Sequence, residues 1–145
     1  MTTRSVLLAV AFGLVPAMAG AQSAPETSGS AKPIAVTLNL YSGDKLSQGF
    51  SEALTAAIGG DERFEVVKTL PPDGMTIVMK DALLPQNNDS ETIAAYDVLL
   101  KSGTGKYIDE KQGFCDAAKL TMCGRVVAQD SFDAYQAYIA HHKPG

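Results

Sequence analysis

The chain has 145 residues, a formal net charge of −4 and 19% charged residues. That length suits a single domain. An acidic balance with no basic stripe excludes the electrostatic footprint a nucleic-acid binder needs.

The first residues read as an address rather than as structure. Arg4 precedes the apolar run of residues 6–15, Pro16 breaks it, and the small residues Ala17, Ala19 and Ala21 follow. This is the layout of a cleavable secretory signal, with cleavage expected after Ala21. The run falls short of the ~20 residues that cross hydrocarbon, so no membrane span is expected once the signal is removed. No cysteine stands near the cleavage site, which argues against a lipid anchor. Cleavage leaves eleven bases against sixteen acids, a net charge of −5. The signal points to the periplasm of a Gram-negative cell. Residues 22–33, QSAPETSGSAKP, hold no large apolar side chain and read as a flexible tether. A single domain over residues 34–140 and a disordered tail at 141–145 complete the expected organisation.

From Ile34 the pattern alternates, placing Val36, Leu38 and Leu40 on one face of a half-buried strand. Ser42 or Asp44 then offers a helix cap. Leu46, Phe50, Ala53, Leu54, Ala57 and Ile58 recur at helical spacing, and Gly59 with Gly60 ends the helix. Residues 64–67 form a second strand. Strand, helix and strand with short joints imply a βαβ unit and a parallel pair. Residues 71–74, PPDG, make a turn, and residues 75–79 a third strand. Residues 85–90 read as a polar loop, which contains an Asn88-Asp89-Ser90 sequon of use only to a eukaryotic secretory pathway.

Residues 92–100 and 106–111 are the fourth and fifth strands. Between them lies Ser102-Gly103-Thr104-Gly105-Lys106, a fragment reminiscent of a phosphate-binding loop. Such a loop reads GxxxxGK[ST] and leads from a strand into a helix. Here Leu100 occupies the first glycine position, Tyr107 follows the lysine, and the next residues alternate like a strand. Gly103 and Gly105 are therefore assigned to a hairpin loop, as positive-φ residues. No cofactor is expected. Near the end, Phe132, Tyr135 and Ile139 share one helical face, and that helix is expected to begin at Asp130 or as early as Val126. The predicted fold is α+β: a small mixed sheet of about five strands, with a βαβ unit, a β-hairpin and a C-terminal helix on one side.

Two cysteines, Cys115 and Cys123, remain. In an exported chain an even pair reads as a disulfide. It joins the end of the fifth strand to the start of the last helical segment. Two cysteines without clustered histidines do not complete a metal site, and a redox pair usually has two intervening residues, not seven. His141 and His142 stand together in the tail, where a catalytic device lacks the rigid setting it needs. The acids Asp61, Glu62, Asp97, Asp109, Glu110, Asp116, Asp130 and Asp133 lie mostly at element ends or on polar faces. Asp97 sits inside an apolar strand beside Tyr96 and is expected to face solvent across the sheet. No catalytic residue is assigned.

Ile34-Ala35-Val36, the helix positions Leu46, Phe50, Leu54 and Ile58, the strand Phe64-Glu65-Val66-Val67, and Tyr96-Asp97-Val98 with Gly105-Lys106 together resemble small envelope βαβ domains. These are the amino-terminal domain of the Tol-Pal protein TolB and the outer-membrane activators of penicillin-binding proteins. The added cysteine pair and the lack of a lipid-anchor cysteine set this chain apart. The resemblance implies a non-enzymatic domain that contacts other envelope proteins. Two other readings stand beside it: a small secreted hydrolase using paired carboxylates on cell-wall material, and a structural module without a ligand.

Overall fold

The computed structural model describes residues 31–88 and 91–143. The expected signal, and the tether up to Ser30, lie outside the described residues, as do Asp89 and Ser90 of the sequon. The elements run β1 (Ile34–Leu40), α1 (Lys45–Gly59), β2 (Phe64–Val66), β3 (Met75–Met79), β4 (Leu84–Asn88), β5 (Glu91–Ser102), β6 (Tyr107–Asp116) and α2 (Leu120–His141). A single 3-10 turn, Ala117–Lys119, leads into α2.

The βαβ unit forms as its pattern dictates. Asp44 caps α1 by accepting the Ser47 N–H at 2.9 Å, and the helix crosses over so that β2 lies parallel to β1. β3 is parallel to β1 on its other side. β5 then runs antiparallel and is long enough to take two partners on one flank. β3 pairs with residues 99–102 and β4 with residues 91–95. β6 occupies the opposite flank. The fold is thus α+β, as expected, and the sheet is mixed, with six strands among the described residues.

Val36, Phe50, Leu54, Ile58, Met75, Ile77, Val98, Leu100 and Val127 are fully buried between the helices and one face of the sheet. Burial of this apolar surface is the main force holding the layers together. The helices cross closely at Gly124, where an added Cβ would stand 2.7 Å from the Ala53 carbonyl group.

Three expectations are corrected. The polar loop at residues 85–90 is in part β4, because β5 outruns β3 and offers its remaining edge groups as partners. α2 starts at Leu120, well before Val126, since the 3-10 turn capped by Asp116 carries the chain straight into it. Of the two hairpin glycines only Gly105 has a positive φ, +81°. Gly103 is required by close approach instead: its N–H donates to the Gly74 carbonyl at 2.7 Å, and a Cβ there would collide with the Pro71 carbonyl. The hairpin itself is as expected, closed by Ser102 N–H on the Lys106 carbonyl at 2.8 Å.

α2 extends through His141, and the Tyr138 ring stacks on His142 with centroids 4.3 Å apart. No helix among the described residues is long and apolar enough to cross a membrane.

Candidate interaction surface

The helices cover one face of the sheet, so chemistry offered to a partner falls on the other face and on the outer strand edges. Register places the side chains. On the open face Leu84, Ala95 and Phe114 form one row across β4, β5 and β6. Val78, Leu99 and Glu110 form a second row, and Asp97 stands opposite Gln112 between them. The far end of the face is polar and self-satisfied, with the Thr37 and Thr76 hydroxyls 2.9 Å apart.

The break between β3 and β4 opens a cleft of about 580 Å³ in this face. Asp81, Leu84, Ala95, Asp97, Gln112 and Phe114 are among its walls. Leu84 and Phe114 keep 66% and 69% of their surface in solvent, the two most exposed large apolar side chains described. The break is held in place from the helix side. Ser47 Oγ, fully buried, accepts the Leu83 N–H at 2.9 Å and donates to Asp44 Oδ2 at 2.7 Å. The cap of α1 and the mouth of the cleft are therefore parts of one network.

Phe114 also borders a second, smaller hollow of about 260 Å³ with Met122, Cys123 and Val126. Met122 and Val126 are exposed as well, so the apolar patch continues around the β6 edge onto α2. The disulfide lies under this corner. Cys115 and Cys123 are bonded at 2.07 Å, tying the end of β6 to the first turns of α2. Cys115 is buried at 2% exposure, whereas Cys123 is half-buried.

Asp97 does face solvent, accepting from Gln112 Nε2 at 3.1 Å. The hairpin register brings Glu110 beside it. The Asp97 carboxylate raises the Glu110 pKa above the ordinary glutamate value of 4.5, through repulsion first and then a shared hydrogen bond. Lys80 opposes that shift. Asp109, on the other face, is held below the usual carboxylate range by hydrogen bonding to Lys111, 2.6 Å away. Asp61 is lowered likewise by Arg63, whose guanidinium also lies over the Phe132 ring at 4.3 Å. The remaining acids are scattered, and among the described residues no three His, Cys, Asp or Glu side chains gather as metal ligands would. His141 and His142 lie at the C-terminal end of α2, with His142 Nδ1 2.9 Å from the Tyr138 carbonyl.

Of the acids singled out in the sequence, only Asp97 lines the cleft, and Glu110 stands beside it on the open face. Phe114 and Leu84 carry no sequence signal of their own. Counting outward from Gly105 through the hairpin would have paired the β6 acids with β5, but nothing local marks the cleft.

Comparison with models of known families, with curated proteins and with solved structures finds no match for this chain.

Proposed function

We propose that the chain is an exported, periplasmic adaptor domain that binds other envelope proteins through the open sheet face at β6. The observation that carries this reading is the uncovered pair Leu84 and Phe114, flanking a cleft at a strand edge that no other described strand pairs with. Apolar surface left in water at such a place has the character of a protein contact. The secretory layout of the first residues and the disulfide fit an oxidising compartment. The resemblance to envelope βαβ domains, an analogy of pattern, favours a contact function over catalysis.

The test is site-specific photo-cross-linking in intact producing cells. A cross-linker at Phe114 is expected to capture one envelope protein reproducibly. One at Glu52, on the exposed side of α1, is expected to capture nothing above background. Equal capture from both positions, or none from Phe114, ends the proposal. Intact mass of the exported chain adds the address: loss of residues 1–21 with both cysteines resistant to alkylation is expected.

A further inference from the structure

We infer that β6 accepts an extended, basic segment of the partner as an added strand, with one apolar side chain on the Phe114 row and a lysine or arginine on Asp97 and Glu110. This rests on the adaptor reading and specifies its ligand.

β6 is ten residues long and, among the described residues, pairs on one flank only, with β5. A free edge of that length is a template for another strand unless it is guarded. Charged residues stand at both ends. Asp109, Glu110 and Lys111 occupy the half near the hairpin, and the register irregularity at Leu100 and Lys101 lies there too. Asp116 closes the other end, where it accepts the Ala118 N–H and pairs with Lys119. The stretch between, Gln112 to Cys115, carries no charge and contains exposed Phe114. That stretch borders the cleft.

Charge decides among occupants. Asp81 and Asp97 line the cleft, and Glu110 stands beside Asp97 on the same face with Lys80 as a nearby base. β6 itself has three acids against one lysine. A second copy of this chain would bring acid against acid, so the edge discourages self-pairing. A basic strand meets the opposite situation: a cation placed between Asp97 and Glu110 relieves the repulsion that they now exert on each other.

Spacing then gives a pattern. Residues 110, 112 and 114 share the open face, and strand geometry puts alternate residues about 7 Å apart. A strand laid along β6 in either direction offers its apolar and its basic residue four positions apart. Backbone hydrogen bonds supply affinity and these two side chains supply selectivity, as in other strand-addition complexes.

The experiment uses the full chain at low salt and a short threonine-rich peptide carrying a valine and, four positions on, a lysine. Binding is read by titration and by amide hydrogen exchange. The expected result is slowed exchange along Gln112–Cys115, with other strands unchanged. Replacing the peptide lysine by glutamate, or N-methylating alternate peptide amides, is expected to abolish it. In the protein, Asp97→Asn combined with Glu110→Gln is expected to weaken binding about fivefold, the scale of an exposed ion pair. Equal binding of the N-methylated peptide overturns strand addition. An unaffected double variant overturns the acidic recognition. No peptide response, alongside a reproducible cross-link from Phe114, overturns this inference and leaves the adaptor reading in place. Silence in both removes both.

Discussion

Gly124 shows how packing reverses a local rule. In an exposed helix interior, glycine to alanine stabilises by roughly 1 kcal/mol. Here the new Cβ would meet the Ala53 backbone at 2.7 Å, and backbone cannot rotate away as a side chain can. Gly124→Ala is therefore expected to destabilise by about 1–3 kcal/mol, the usual cost of overpacking. Urea unfolding measures it, and a raised midpoint would show that the helices do not touch there. Ser47 is a second position where one atom matters: Ser47→Ala strands the buried Leu83 N–H, a loss of about 1–3 kcal/mol in the same assay. Glu110 works in the other direction. Its raised pKa means that the folded chain holds the proton more tightly than the unfolded one. Its contribution is favourable below pH 4.5 and is lost as pH rises through the folded value. Glu110→Gln is expected to stabilise at neutral pH, and the gain is expected to vanish in acid. Melting curves at the two extremes check the sign, and a gain that grows in acid would contradict it.

Elements whose signals are local were readable from the sequence. β1, α1 and β3 follow their periodicities, and Asp44 caps where a cap was expected. β4 was hidden because Leu84, Pro85, Gln86 and Asn87 are all exposed, so no alternation marks the strand. Its partner is chosen by the length of β5, a tertiary fact. The second half of β6 was hidden by Gln112 and Gly113. Gly113 leaves room for the Tyr96 side chain, so what reads as a breaker is a packing choice. The start of α2 was masked similarly by Gly124 and by exposed Met122 and Val126. The disulfide was readable by compartment and count, and it pins two elements whose ends were not. Replacing Cys115 and Cys123 by serine together is expected to cost about 2–3 kcal/mol, from the entropy of the short loop they close. Chemical denaturation of oxidised and serine forms measures it. A loss near zero would mean that the β6–α2 corner is held by packing alone.

As a whole, the molecule divides its apolar surface into two populations with different work to do. Phe50 is fully buried and stacks on Tyr96, ring centroids 5.4 Å apart, between the helices and the sheet. Phe114 is the same residue type on the opposite side, mostly in water. Sequence pattern could not separate them, because strand position 114 differs from a core position only in which face the helices happen to cover. Stability and binding should therefore separate by mutation. Phe50→Ala is expected to cost about 3–5 kcal/mol, since it removes a buried ring and leaves a cavity. Phe114→Ser removes little that is hidden from solvent and is expected to change stability by no more than about 0.5 kcal/mol. The same substitution is expected to abolish partner capture by a cross-linker at Leu84, its neighbour across the cleft. A folded Phe114→Ser protein that still cross-links as wild type would mean that the exposed ring is incidental. An unfolded one would mean that the β6 edge is part of the core. Only loss of capture with stability intact assigns that face to a partner.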